Sequence, residues 1–158
     1  MAKDYFRSDD SFDRKQDYQD QAVENLSDYK KEAYMKEIHF RCPGDRLRIC
    51  IIIGNAQIGS YRLRLWESAS NTVVMDEHGN NQNPNDDCYD LPLPLENNNG
   101  RLVQCEFSVV SPDPQPGDQY SVSMDFLQGK HQLDSVDESG PMNGKRVSPE
   151  LWAVLKTP

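Results

Sequence analysis

Residues 45–66, DRLRICIIIGNAQIGSYRLRLW, form the most apolar stretch of the chain and decide the predicted fold. On both sides of a turn over residues 54–59, apolar residues alternate with other residues, which is the period of a strand with one buried face. The inward set is Leu47, Ile49, Ile51 and Ile53 before the turn, and Tyr61, Leu63 and Leu65 after it. The stretch therefore predicts a β-hairpin whose inward face lies in the core.

The outward side of this predicted hairpin is rich in arginine. We call it the arginine face, and it comprises Arg46, Arg48, Arg62, Arg64 and Trp66. If Ile51 faces Tyr61, then Arg48 faces Arg64, and like charges directly across two strands repel each other. Arginine and tryptophan also carry much of the binding energy at protein interfaces. In a chain of net charge −9, the arginine face predicts an acidic partner surface. Neutralisation by the chain's own acidic residues is the alternative.

A second alternating pattern runs from Arg101 to Leu127 and predicts another hairpin. Its inward residues are Val103, Cys105, Phe107 and Val109, then Tyr120, Val122, Met124 and Phe126. Shorter strands are predicted over residues 37–42, 71–75, 132–136 and 151–155. Residues 76–99 are predicted to be irregular, with prolines favouring an extended edge over residues 89–95. Seven to eight short strands predict a mainly β fold, an antiparallel β-sandwich.

Residues 1–37 contain no glycine or proline and few aliphatic side chains. Tyr18, Ala22, Leu26, Tyr29 and Ala33 recur at a spacing of three or four, which places them on one stripe of an amphipathic helix. We therefore predict an N-terminal helical arm over residues 1–37 and a β-sandwich domain over residues 38–158. Such a helix is marginal alone, so it would dock either on its own domain or on a neighbouring subunit. Docking on a neighbour would make Tyr18, Leu26 and Tyr29 contact residues.

Composition excludes some partners and indicates a compartment. A net charge of −9 argues against binding to nucleic acids or anionic membranes, which both require a positive field. No apolar run resembles a signal peptide or approaches the roughly 20 residues of a membrane span, so we expect a cytoplasmic protein. The four cysteines, Cys42, Cys50, Cys88 and Cys105, form no close pairs. Reduced cysteines are expected there, and a single disulfide is the alternative outside the cell.

The search for chemistry finds no catalytic motif. The three histidines lie far apart, and no nucleophile elbow or phosphate-binding loop is present, so we expect no enzymatic activity. Asn81, Asn83, Asn85 and Asp87 alternate as calcium ligands can. Pro84 interrupts them and no glutamate closes the loop, and Asn and Asp also populate ordinary turns. We expect no cofactor, with calcium as a weaker alternative.

These observations predict a non-enzymatic interaction or structural module in an oligomeric assembly, such as a structural subunit or adaptor of a bacterial or phage machine. The partner, a protein or another copy of the chain, would be contacted through the N-terminal arm and the arginine face. The alternative is a ligand-binding β-sandwich, carbohydrate-binding or lectin-like and calcium-dependent. In that alternative Tyr89, Trp66 and the asparagine-rich loop would form the site.

Overall fold

The computed structural model describes residues 35–55, 57–82 and 87–158, and residues Lys36–Pro158 form one compact unit. Within the described residues the chain forms ten β-strands and one short 3-10 helix. In chain order they are β1 (Lys36–His39), β2 (Leu47–Gly54), β3 (Ile58–Trp66), β4 (Val73–Asn80), β5 (Asp87–Asp90), the 3-10 helix (Leu95–Asn98), β6 (Leu102–Val110), β7 (Gln119–Gln128), β8 (His131–Pro141), β9 (Arg146–Val147) and β10 (Glu150–Lys156). The predicted N-terminal helix lies outside the described residues up to residue 34, and its last two residues, Lys36 and Glu37, belong to β1 instead.

The strands form two sheets, so the prediction of a mainly β fold is confirmed. The larger sheet has six strands in the order β1-β10-β6-β3-β4, with β9 also paired to β6. The smaller has four strands in the order β5-β2-β7-β8. Neighbouring strands are antiparallel except β1 and β10, which are parallel. The sequence predicts antiparallel strands throughout, whereas the observed pairing includes this one parallel pair.

Both predicted hairpins are wrong, although all four of their strands are present. β2 pairs with β5 and β7 in the smaller sheet, whereas β3 pairs with β4 and β6 in the larger one. β6 and β7 are likewise divided between the two sheets. The alternation of side chains specifies which face of a strand is buried and does not specify the neighbouring strand. Each predicted hairpin turn is instead a crossing from one sheet to the other.

Buried side chains of both sheets belong to one hydrophobic cluster. The predicted inward residues Ile49, Ile51, Leu63, Leu65, Phe107, Val122, Met124 and Phe126 are all members of this cluster. Ile53 and Tyr120 are only partly buried. Ile38, Phe40, Leu91 and Leu95 join the cluster from outside the two strong patterns. Each large apolar side chain buried in this way contributes roughly 1.5–3 kcal/mol.

Residues 76–99 are more regular than predicted. β4 continues through Asp76 to Asn80, and β5 pairs along the edge of the smaller sheet. Gly79 lies opposite Tyr61, and a β-carbon at this position would collide with the Tyr61 side chain. The glycine that resembles a strand breaker in sequence therefore permits a close approach.

Cys50 and Cys88 lie directly opposite each other on β2 and β5 and form a disulfide. This bond corrects the expectation of four reduced cysteines. Cys42 is free and exposed, and Cys105 is free and buried, where burial raises the pKa of its thiol. The spacing of 38 residues gave no close pair in sequence, because the pairing depends on strand register alone.

Candidate interaction surface

The structure divides the arginine face between the two sheets. Arg48 lies on β2 of the smaller sheet and Arg46 directly precedes this strand. Arg62, Arg64 and Trp66 lie on β3 of the larger sheet. The expected juxtaposition of Arg48 with Arg64 does not occur, because Arg48 pairs with Asp90 and Leu127 across the neighbouring strands. The predicted arm residues Tyr18, Leu26 and Tyr29 lie outside the described residues.

Trp66 belongs to a hydrogen-bonded network on the outward side of the larger sheet. The Trp66 Nε1 donates to Gln104 Oε1 at 3.0 Å, and Gln104 Nε2 donates to Glu150 Oε1 at 2.8 Å. The Trp152 Nε1 donates to the same Glu150 oxygen at 2.6 Å. Three adjacent strands, β3, β6 and β10, therefore join two indole rings through one amide and one carboxylate. We call Arg64, Trp66, Gln104, Glu106, Glu150 and Trp152 the tryptophan network.

Gln104 is the centre of this network. It is directly opposite Trp152 on β10 and Arg64 on β3, and only 6% of its surface is exposed although its side chain points away from the core. Since an indole nitrogen can only donate, its bond to Trp66 fixes the orientation of the Gln104 amide. The amide group then faces Glu150 and Glu106, the latter at 3.2 Å. The Gln104 amide accepts from Trp66 and donates to Glu150, and Glu150 also accepts from Trp152, so this chain of hydrogen bonds holds both indole rings in position.

Arg64 connects the network to charge. Its Nη2 donates to Glu106 Oε1 at 2.6 Å, and its guanidinium carbon lies 5.4 Å from the centre of the Trp66 ring, within range of a cation–π contact. Its Nε is buried and has no hydrogen-bond partner among the described residues. A buried donor without a partner costs about 1–3 kcal/mol when the group is neutral, and more when it is charged, as the guanidinium of Arg64 is.

Arg62 lies at the border of the tryptophan network, towards β4. It donates two hydrogen bonds to Asp76, at 3.0 and 2.7 Å. This bidentate pair lowers the pKa of the Asp76 carboxyl group and raises the pKa of Arg62. Asp76 therefore stays ionised and neutralises Arg62, which makes Arg62 a poor candidate for a free cation.

Arg46 and Arg48 also have partners in their own chain. The Arg46 Nε donates to the Leu91 carbonyl oxygen, and the Arg48 Nε donates to Asp90 Oδ1 at 2.8 Å. The hydrogen bond from Arg48 lowers the pKa of Asp90. All four arginines of the predicted face thus form hydrogen bonds within the chain, three of them to carboxylates and Arg46 to a backbone carbonyl. Their contact with a partner stays a prediction.

The sequence interpretation missed Gln104, Glu106, Glu150 and Trp152 as site residues. Gln104 and Glu106 occupy the outward positions of the Val103–Val109 alternation, and Glu150 and Trp152 flank the inward Leu151. The period shows that these residues share the outward side of their strands. Only the strand order places β10 beside β6 and β6 beside β3, and this order is not visible in the local pattern.

The structure describes only part of the weaker calcium and carbohydrate candidates. Asn81 Oδ1 accepts a hydrogen bond from Gly59 N at 2.9 Å, and Asn83 and Asn85 lie outside the described residues. In the part of the chain that is described, no group of three or more His, Cys, Asp or Glu side chains could hold a metal ion. The Tyr89 hydroxyl forms a hydrogen bond with the hydroxyl of the buried Tyr61. Tyr61 precedes Trp66 by five residues on β3, so the two side chains lie on opposite faces of that strand. Trp66 and Tyr89 therefore do not form one site.

In comparisons with protein-family models, curated proteins and solved structures, nothing matches this chain. Among the described residues, no helix has the length and apolar character required to cross a membrane.

Proposed function

We propose that this chain is a non-enzymatic protein-interaction module that acts within an oligomeric assembly, as a structural subunit or adaptor. Its architecture would be a β-sandwich, supported by the single hydrophobic cluster to which both sheets contribute. The observation that carries the proposal is the tryptophan network, in which Trp66 and Trp152 are held on the outward side of the larger sheet.

Two physical features support a binding role for this network. Tryptophan is enriched at the centre of protein interfaces because it buries a large area with few rotatable bonds. Trp66 and Trp152 are half-buried, so a partner would remove further apolar surface from water. Their positions are fixed in the free protein by the bonds to Gln104 and Glu150, which reduces the entropy lost on binding.

The partner we propose is another copy of the same chain. Arg64 and Trp66 belong to both the predicted arginine face and the tryptophan network, so the interface predicted from the sequence overlaps this surface. Residues 1–34, with the predicted contact residues Tyr18, Leu26 and Tyr29, would contribute a second contact between copies. Deleting residues 1–35 should then reduce the particle mass while the β-rich domain stays folded. A deletion that lowers only the melting temperature, at unchanged mass, would oppose the arm hypothesis.

The disulfide bears on the compartment. Disulfides persist in oxidising environments and are rare in the cytosol of most organisms. The Cys50–Cys88 bond therefore supports action outside a reducing cytoplasm and weighs against the cytoplasmic expectation. A structural role in an exposed assembly is compatible with such a location.

Carbohydrate binding is the second candidate function. The observation that favours it is the placement of two indole rings beside an amide and two carboxylates, because a ligand site combines apolar rings with a few oriented polar groups. The residues would be Trp66, Trp152, Gln104 and Glu150, in place of Tyr89 and the asparagine-rich loop.

Particle mass across a range of protein concentrations separates these candidates. The interaction module is expected to show a mass of at least two chains that falls on dilution. A monomer at every concentration, with a melting temperature that rises when oligosaccharide is added, would favour the carbohydrate candidate. A calcium-dependent rise, abolished by chelator, would restore the lectin-like alternative.

A further inference from the structure

Two adjoining cavities lie where the β1–β2 connection meets the β7–β8 turn. Their volumes are about 590 Å³ and 530 Å³, and Asp45 and His131 line both. The apolar residues lining the larger cavity include Pro43, Leu133 and the buried Phe40. Together the cavities form one composite cleft on a part of the molecule that the tryptophan network does not include.

The rim of this composite cleft is held by the buried side chain of Gln128. Its Oε1 accepts from the Arg41 backbone N at 3.0 Å, and its Nε2 donates to the carbonyl oxygens of Arg41 and Asp45 at 2.7 and 2.9 Å. Gly129 follows with φ of +61°, and a β-carbon there would collide with the Asp45 carboxylate. The two loops are therefore fixed against each other before any ligand arrives, which favours binding.

The smaller cavity is basic. Arg46, Arg48 and Lys130 supply three positive charges, against the carboxylates of Asp45 and Asp90. Asp90 is already paired with Arg48 through Nε. Arg46 donates through Nε to Leu91, and its two Nη groups have no hydrogen-bond partner among the described residues. A planar guanidinium presents such groups well to a carboxylate.

A ligand that fits both cavities has a carboxylate next to an apolar or aromatic group. An aspartate followed directly by a tyrosine meets this description, and residues 1–34 contain such an Asp–Tyr pair three times, as Asp4-Tyr5, Asp17-Tyr18 and Asp28-Tyr29. We propose that the composite cleft binds an Asp–Tyr pair from residues 1–34 of a second copy of the chain. The aspartate would meet Arg46 and Lys130, and the tyrosine ring would enter the apolar cavity. This inference rests on the proposed assembly and specifies where residues 1–34 would contact the neighbouring copy.

Complementation between two full-length variants tests the proposal. The cleft variant carries Arg46→Gln and Lys130→Glu, and the segment variant carries Tyr5→Ser, Tyr18→Ser and Tyr29→Ser. Each variant alone is expected to associate at least tenfold more weakly than the parent, by sedimentation. An equimolar mixture should regain two-chain particles, because one variant keeps intact Asp–Tyr pairs and the other keeps an intact cleft. Tyr34→Ser is the matched control, since Tyr34 follows alanine and should associate like the parent.

Lys130→Glu alone is the control for misfolding, because no described hydrogen bond involves the Lys130 side chain. This single variant should also associate more weakly than the parent. Parent-like association of the cleft variant would overturn the proposal, as would a mixture that does not recover or a control as weak as the segment variant. If the cleft variant associates normally while Trp152→Glu does not, the cleft inference fails and the proposed function stands.

A synthetic peptide of residues 13–22 gives a readout independent of assembly. It should bind the segment variant and bind at least tenfold more weakly when Arg46→Gln and Lys130→Glu are added. No binding would overturn the proposed recognition of the Asp–Tyr pair. Peptide binding to a parent that stays monomeric would overturn docking between copies, and it would indicate that the pair is bound within one chain.

Discussion

Tyr61 and Tyr89 share a hydrogen bond between their hydroxyl groups, although they belong to different sheets. Tyr61 lies on β3 and Tyr89 on β5, with the ring centres 6.3 Å apart in an edge-to-face arrangement. Burial is the main cause that raises the pKa of Tyr61, and the hydrogen bond to Tyr89 raises it further. The two hydroxyls therefore stay neutral and link the sheets from the inside.

Removing one hydroxyl of this pair should measure the link. We expect Tyr89→Phe to lower the free energy of unfolding by about 0.5–1.5 kcal/mol, the usual contribution of one hydrogen bond. Urea unfolding provides the measurement. Tyr120→Phe is the matched control, because its hydroxyl bonds to the exposed Glu138, and it should change stability by less than about 0.5 kcal/mol. Equal losses in both variants would argue against a special role for the Tyr61–Tyr89 bond.

The two faces of β2 permit a matched comparison of adjacent isoleucines. Ile51 is 6% exposed and belongs to the hydrophobic cluster, whereas Ile52 is 46% exposed. Ile51→Ala should cost about 2–5 kcal/mol, as expected when a packed core site is emptied. Ile52→Ala should cost well under 1 kcal/mol. A loss below roughly 0.5 kcal/mol at Ile51 would show that the inward face is assigned incorrectly.

The disulfide should stabilise the edge of the smaller sheet. It joins residues 38 apart in sequence, and closing a loop of this size is worth roughly 2–4 kcal/mol. The double variant Cys50→Ser, Cys88→Ser should therefore lose stability by this amount, and reductant should destabilise the parent and leave the variant unaffected. Cys42→Ser changes an exposed free cysteine and should be neutral. A reductant-insensitive parent would contradict the bond.

Acid should destabilise the fold through its ion pairs. Hydrogen bonds from Arg62, Arg48, Lys36 and Arg101 lower the pKa of Asp76, Asp90, Asp134 and Glu67 respectively. A carboxyl group with a lowered pKa binds fewer protons in the folded state than in the unfolded state. Each such group therefore stabilises the fold fully above about pH 5, and this stabilisation is lost as the pH falls through the lowered pKa of the folded state. Melting temperatures between about pH 7 and pH 2 should follow this course.

Asp90→Asn should make that acid dependence shallower, because one lowered carboxyl group is removed. Asp137→Asn is the control, since Asp137 forms no ion pair among the described residues, and it should leave the profile unchanged. A profile that does not depend on Asp90 would show that the Arg48–Asp90 pair contributes nothing measurable.

The sequence predicted the inward faces of four strands because side-chain alternation is a local property. It did not predict their partners, since β2 and β3 are adjacent in sequence yet lie in different sheets. The Cys50–Cys88 bond and the tryptophan network were missed for the same reason. Both depend on register between strands far apart in sequence, such as β6 with β10 and β2 with β5.

Two of the six residues of the tryptophan network can nevertheless be predicted from the sequence. Arg64 and Trp66 are predictable because arginine and tryptophan stand on the outward side of an apolar strand in an acidic chain. Gln104 carried no such signal, because an outward glutamine is ordinary on a solvated strand. Its burial between Arg64 and Trp152 arises only from the tertiary arrangement.

The most direct test of the proposed function compares Trp152→Glu with Ile52→Glu in the full chain. Each variant places one carboxylate on the outward side of a sheet, the first within the tryptophan network and the second on the smaller sheet. By sedimentation, Trp152→Glu is expected to weaken self-association at least tenfold, because a charge would be buried at the interface, and Ile52→Glu should match the parent. Association of Trp152→Glu at the parent's strength, with both proteins folded, would contradict the assignment of this surface.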